Sequence, residues 1–151
     1  MIPSLRIRIT RRFTFEMAHA LTGHDGACAQ VHGHSYALEV TVIGRPNTDP
    51  ASPKQGMVMD FTDLKRLVNE EVIAPLDHSL VLHASERDHF AAGSSALFER
   101  LHFVPFQPTC ENLLADMVPR LRSRLPEDVA LCALRLVETP CSSAEWHAHD
   151  D

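Results

Sequence analysis

Alternation of apolar and polar positions dominates the first third of the chain. Over residues 5 to 19, Ile7, Ile9, Phe13, Phe15 and Met17 share one parity, and His19 closes the series. A period of two predicts a strand with one buried face. A polar, glycine-containing loop follows at residues 22 to 30. Residues 31 to 45 repeat the alternation, with His32, His34, Tyr36, Leu38, Val40 and Val42 on one face and Glu39 and Thr41 on the other. Residues 46 to 56 hold three prolines and read as a turn-rich connection.

The period then changes. Leu64, Leu67, Val68 and Val72 recur at helical spacing and predict a helix over residues 60 to 74. Asp60 or Thr62 caps it, and Pro75 stops it. Residues 76 to 82 read as a short extended segment. Residues 84 to 101 carry a weak helical pattern broken by Gly93, and residues 102 to 106 read as a short strand before Pro108. Thr109 caps a second helix that runs to Leu125, with Glu111 or Asn112 in its first turn. Pro119 is expected to kink or split that helix. Residues 129 to 138 form a third long strand and residues 142 to 146 a short fourth, followed by a frayed tail at 147 to 151. Strand, strand, helix, helix, strand, strand predicts one α+β domain over residues 1–151. Its two main helices lie on one face of an antiparallel four-stranded sheet.

Composition narrows the function classes. The 151 residues are 44 % apolar and 23 % charged, ordinary globular values that exclude a disordered chain. A formal net charge of −6 gives no basic footprint for nucleic acid. Arg6, Arg8, Arg11 and Arg12 form the one dense basic run and read as the solvated face of a strand. No stretch approaches the ~20 apolar residues of a membrane span. The start of the chain lacks a charged-then-apolar leader, so the cytoplasm is the expected compartment. The four cysteines, Cys28, Cys110, Cys132 and Cys141, form no C-x-x-C pair and read as free thiols. No glycine-rich phosphate loop is present.

Ten histidines are many for this length, and their spacing carries chemistry. His32 and His34 stand two apart on a predicted strand, so both imidazoles share a face. If the first two strands pair as a hairpin, His19 lies beside them. Three neutral imidazoles with an open fourth position suit a catalytic metal, and Gly33 permits close backbone approach. The bland alternative is a polar strand edge. Cys28, in the loop between the ligand strands, is a candidate proton acceptor whose pKa a nearby dication would lower. An ordinary loop cysteine or a fourth ligand are the other readings. Asp77 and His78 form a possible proton relay or a simple turn. Glu138 ends an otherwise apolar strand and could accept two hydrogen bonds from a 2-amino-pyrimidinone edge. Glu111 is equally a first-turn helix carboxylate.

Together these residues resemble a known family. The matching segments are Phe13-Thr14-Phe15-Glu16-Met17-Ala18-His19, Cys28-Ala29-Gln30-Val31-His32-Gly33-His34-Ser35-Tyr36 and Gly56-Met57-Val58-Met59-Asp60-Phe61 with Asp63-Leu64-Lys65. Leu76-Asp77-His78, Pro108-Thr109-Cys110-Glu111-Asn112-Leu113 and Val137-Glu138-Thr139 complete the set. In this order they resemble the 6-pyruvoyltetrahydropterin and 6-carboxytetrahydropterin synthases from Phe13 to Trp146. The resemblance implies His19, His32 and His34 as ligands of one Zn²⁺ per subunit, and Cys28, Asp77 and His78 as the catalytic acid–base set. It implies Glu138 as the pterin anchor, with Thr109 and Glu111 lining the same pocket. Three residues separate Cys28 from His32, which resembles the bacterial carboxy-forming branch of queuosine synthesis. The implied reaction converts 7,8-dihydroneopterin triphosphate to 6-carboxy-5,6,7,8-tetrahydropterin, acetaldehyde and triphosphate. A pyruvoyl-forming elimination and a non-catalytic zinc-stabilised module are the alternatives.

The implied fold is the tunnelling fold, or T-fold, with trimer sheets closing into a barrel and two trimers forming a homohexamer. Its partner is a small pterin, with neither nucleic acid nor membrane. Lys54, Arg45 and Arg135 are candidates for the triphosphate. Three features depart from the family pattern. Met17 stands where a small residue is usual, residues 83 to 107 are longer than the common connection, and the tail carries His147 and His149.

Overall fold

The computed structural model describes residues 4–90 and 96–150. The predicted hairpin is its spine. Strands β1 (Ile7–His19) and β2 (His32–Gly44) pair antiparallel along their whole lengths, from Ile7 opposite Gly44 to His19 opposite His32. Strand β5 (Val129–Thr139) continues the sheet antiparallel to β2, and β6 (Ser142–His147) pairs antiparallel to β5.

The sheet has six strands rather than the four expected, and it is mixed rather than antiparallel. Strands β3 (Ser79–His83) and β4 (Leu101–Val104) add to the free edge of β1, both in parallel, giving the order β4-β3-β1-β2-β5-β6. The reason is the helical crossover after β2. Strand β2 already ends beside the start of β1, with Gly44 opposite Ile7, and the crossover carries the chain along β1, so that β3 enters opposite Met17 and runs parallel to it. Both added strands are short apolar runs without clean alternation, which periodicity alone cannot assign to a sheet.

The crossover is not one plain helix. Helix α1 (Phe61–Val68) passes into a wide π turn (Asn69–Ile73) and then α2 (Ala74–Leu76). Asp60 caps it through a hydrogen bond from the Thr62 amide. It ends at Leu76, one residue past Pro75. A proline has no N–H for the carbonyl one turn back. The Arg120 guanidinium donates to the Glu71 carbonyl instead, so that acceptor is not left bare.

Helix α3 (Cys110–Arg122) starts at its predicted cap, Thr109, whose hydroxyl accepts from the Asn112 amide. Pro119 does not split it. Pro119 and Ala115, whose carbonyl loses its usual donor, both face solvent, so water can meet that group. The end of the chain is not a frayed tail throughout. His147 closes β6, and the Ala148 amide donates to the Cys132 carbonyl. Gly93 lies outside the described residues; around it the connection forms 3-10 turns at Ala84–His89 and Ala96–Phe98.

The core sits between one sheet face and the helices. Phe13, Phe15, Leu38, Val40, Leu134 and Leu136 meet Leu64, Val68, Leu114 and Met117. Leu136 is fully buried and directly opposite Leu38. Leu136→Ala should cost about 2–5 kcal/mol, read as a lower urea midpoint at unchanged slope. The other sheet face is polar and carries a row of alternating charge across four strands. Arg12 pairs in register with Glu39, Glu39 with Arg135, and Arg135 with Glu145. The Arg135 guanidinium lies 3.0 Å from Glu145 and 3.9 Å from Glu39. Arg135 is therefore committed to this row, while Lys54 pairs with Asp60 and Arg45 with Ser4.

Candidate metal centre and active site

The core-facing row of the β1–β2 hairpin changes from apolar to imidazole at one end. Successive pairs across the two strands are Phe13 with Leu38, Phe15 with Tyr36, Met17 with His34, and His19 with His32. The period-two geometry that buries the aromatic pair also points all three histidines one way. Phe15 and Tyr36 stack at 5.1 Å, and His34 stands edge-on to Tyr36 at 5.5 Å. Met17 is 2 % exposed beneath the cluster, so its bulk fills core rather than crowding the open side.

The ligand atoms of His19, His32 and His34 all lie within 4.8 Å of one another. The second nitrogen of two rings is already engaged. His19 Nδ1 donates to the Pro108 carbonyl at 2.7 Å, and His32 Nδ1 to the Gln30 carbonyl at 2.7 Å. Those bonds fix the tautomer and leave Nε2 as a lone pair in each ring. The two Nε2 atoms face each other at 3.1 Å. Neither then carries a proton to share, an arrangement that a cation would relieve. His34 Nε2 is the one buried side-chain nitrogen or oxygen without a hydrogen-bond partner among the described residues. An orphaned buried acceptor is costly unless something binds it. Burial holds the His19 imidazole below its ordinary pKa, opposed by the Pro108 carbonyl and aided by His32. The ring is thus neutral, as a metal ligand must be. These residues fit a divalent metal with an open position.

The cluster opens into a cavity of about 540 Å³, ample for a bicyclic ligand. Cys28, Thr109, Glu111 and Glu138 line it with the three histidines. Glu138 Oε1 lies 3.8 Å from both His19 Nε2 and His34 Nε2 and accepts from the Tyr36 hydroxyl at 3.2 Å. Burial, then the adjacent Glu138 charge, pushes the Tyr36 phenol well above its ordinary range, so it remains a donor. Tyr36 was legible only as a member of the histidine-bearing face; its bond to Glu138 was not. Cys110 also lines the cavity, but burial and Glu138 push its thiol up to about 11, and it donates to the Leu136 carbonyl. His24 is a further lining residue that the sequence did not single out, and its Nδ1 accepts from the Gly26 amide.

Asp77 and His78 do not line this cavity. They form a pair of their own, with His78 Nδ1 3.0 Å from Asp77 Oδ1. The Glu16 amide, then the His78 ring, hold the Asp77 carboxyl below the usual carboxylate range, so it stays charged and can stabilise an imidazolium. His78 has φ +58, the one described non-glycine residue in the left-handed region. A strained conformation held by its neighbours is a common mark of functional positions. The His78 side chain is 73 % exposed and faces a second pocket of about 430 Å³ with Glu16, Ser35, Phe98 and Arg100. Arg45, Lys54 and Arg135 line neither pocket.

Similarity to known proteins agrees with this geometry. The sequence profile of the family described as 6-pyruvoyl tetrahydropterin synthase matches residues 8–149. A 6-carboxy-5,6,7,8-tetrahydropterin synthase of Haemophilus influenzae is 36 % identical over 141 residues, covering 92 % of this chain and 97 % of that protein. A protein of the same name from Rickettsia bellii is 32 % identical, covering 89 % of this chain and 95 % of its own length. The structure of 6-pyruvoyl tetrahydropterin synthase from Caenorhabditis elegans superposes with a TM-score of 0.69 at 25 % identity, covering 98 % of this chain and 99 % of that one. The α+β sheet with helices on one face is therefore the T-fold architecture. With its profile matched almost end to end and its histidine cluster assembled on the paired strands, the chain belongs to the 6-pyruvoyl tetrahydropterin synthase family of enzymes.

Proposed function

We propose that this chain is a zinc-dependent lyase converting 7,8-dihydroneopterin triphosphate to 6-carboxy-5,6,7,8-tetrahydropterin, acetaldehyde and triphosphate, a cytoplasmic step of 7-deazaguanine synthesis. The observation that carries this reading is one cavity in which three ligand-ready imidazoles, a thiol and a carboxylate converge. The names of the Haemophilus and Rickettsia relatives support the carboxy product.

His19, His32 and His34 would hold one Zn²⁺ per subunit. When bound, the ion supplies Lewis acidity that polarises a side-chain oxygen and lowers the pKa of its hydroxyl. Glu138 accepts the adjacent N–H donors of the pterin's amino-pyrimidinone edge, and Tyr36 keeps that carboxylate in place. Thr109 and Glu111 shape the wall at the start of α3. Cys28 removes a carbon-bound proton, and the His78–Asp77 pair returns one.

The pair belongs to an adjoining subunit's site. It is fully formed, yet it does not line the cavity of its own chain. A homohexamer of two trimers brings such surfaces together, and the outer strands β4 and β6 offer the unpaired edges that ring closure would use. The triphosphate needs the same assembly, because no Lys or Arg is among the described residues lining the cavity.

The test is anaerobic incubation of zinc-loaded protein with 7,8-dihydroneopterin triphosphate, followed by mass. Acetaldehyde with a carboxypterin is the expected result. A pyruvoyl product without acetaldehyde would move the chain to the reaction named by its family. Untouched substrate would leave a zinc-stabilised binding role.

A further inference from the structure

The cysteine-bearing loop between β1 and β2 is held from outside itself. Internally it has the Leu21 amide on the Cys28 carbonyl at 2.8 Å, the His24 amide on the Leu21 carbonyl, the Gly26 amide on His24 Nδ1 at 2.8 Å, and one 3-10 turn at Ala27–Ala29. That is thin support for a loop bearing a half-buried thiol. The rest comes through Thr22, all three of whose polar groups are bonded to the extended connection before α3. The Thr22 amide donates to Gln107 Oε1 at 3.1 Å, and its carbonyl accepts from Gln107 Nε2 at 2.5 Å. One primary amide thus satisfies both backbone groups of one residue, as a neighbouring strand would. The Thr22 hydroxyl donates to Glu86 Oε1 at 2.8 Å. The other oxygen of Glu86 accepts from His89 Nδ1 at 2.7 Å, which orients the carboxylate.

Gln107 is itself fixed. Its carbonyl accepts from the Thr109 amide at 2.8 Å and from Asn112 Nδ2 at 3.0 Å. The next carbonyl, that of Pro108, accepts from His19 Nδ1. Two adjacent residues therefore hold a metal-cluster ring and the thiol-bearing loop at once. We propose that Gln107 and Glu86 are positioning residues that clamp Thr22 and thereby set the Cys28 thiol against the histidine cluster. The lengthened connection at residues 83 to 107 supplies both groups and so acts as a brace for the site. The clamp acts on reaction geometry rather than on substrate affinity. A displacement of about 1 Å between reacting groups can cost 10²-fold in rate. The assignment rests on the proposed proton role of Cys28.

The test compares Gln107→Leu, Glu86→Leu and the conservative Glu86→Gln and Thr22→Ser in the zinc-loaded protein. Gln107→Leu and Glu86→Leu should lower kcat by about 10- to 100-fold with KM and zinc content within about twofold. Glu86→Gln and Thr22→Ser keep the acceptor and the hydroxyl, and they should retain activity within about threefold. Hydrogen exchange supplies a readout independent of turnover. Amides of residues 21 to 30 should exchange faster in the two leucine variants while those of β1 and β2 do not. Wild-type kcat and unchanged loop exchange in Gln107→Leu would overturn the clamp. So would accelerated exchange spread over the whole sheet in both leucine variants, which marks a general structural role. Failure of the underlying reading is distinguishable: an active Cys28→Ala removes the thiol's role, while loop exchange in Gln107→Leu still reports the clamp.

Discussion

Cys28→Ala should lower turnover by about 10²- to 10⁴-fold, the usual worth of a positioned proton-transfer group. Bound zinc should stay at one per subunit, because Cys28 stands outside the group of ligand atoms that lie within 4.8 Å of one another. The second thiol of the cavity offers no rescue. Cys110 is pushed up to about 11 and is committed to the Leu136 carbonyl, so it holds its proton at neutral pH. Metal analysis beside steady-state kinetics checks both halves of the expectation, and full activity in Cys28→Ala would end the proposed role. The same variant addresses the adjoining-subunit arrangement. Inactive Cys28→Ala and inactive His78→Ala subunits, unfolded and reassembled together, should regain part of the activity. Intact loops of one parent would then meet intact His78–Asp77 pairs of the other. Continued inactivity in mixtures that assemble normally would count against a shared site.

Removal of one imidazole should have the other large effect. Loss of a partner behind a ligand typically costs 10- to 100-fold in metal affinity, and loss of the ligand itself should exceed that. His34→Ala leaves two nitrogens and an enlarged opening, so zinc should be lost on dialysis and activity with it. Melting temperature gives a second measure. A metal at about 100 times its Kd stabilises the folded state by about 2.7 kcal/mol, or roughly 5–10 °C for a chain of this size. Chelation should therefore lower the wild-type melting temperature by that amount and leave His34→Ala unmoved. An equal shift in both would mean that the chelator strips metal bound elsewhere.

The hairpin and the histidine cluster were legible in the sequence because one rule governs both. A period of two places Phe15, Tyr36, His19, His32 and His34 on one face, and direct pairing of His19 with His32 needs only a full-length register. Strands β3 and β4 were harder. Ser79–His83 and Leu101–Val104 are short and without alternation, and their placement depends on the crossover rather than on local pattern. The crossover helix runs one residue past Pro75, and Pro119 does not split its own, for a related reason. A proline's cost depends on whether the abandoned carbonyl finds another donor, and Arg120 or solvent can supply one. Asp77 and His78 were legible as a pair, but their absence from the cavity lined by Cys28 was not, since chain order does not encode which pocket a turn lines. Gln107 gave no signal because it works by bonding backbone groups, which every residue carries alike.

The wide π turn at Asn69–Ile73 has a consequence for how this chain could change length. Such a turn holds one residue more than regular helix requires, and it is the typical trace of a single-residue insertion. Each residue added to a helix rotates the chain beyond it by about 100° and advances it about 1.5 Å. Here both ends are fixed. Leu64 and Val68 are buried on one side, while Ser79 is locked beside Met17 on the other. The extra residue is absorbed as a bulge, so the Asp77–His78 turn keeps its heading. Deleting one residue from Asn69–Ile73 would restore ordinary helical winding with the same heading beyond it, which makes this short stretch tolerant of a single-residue deletion that elsewhere in a helix would swing the chain by about 100°.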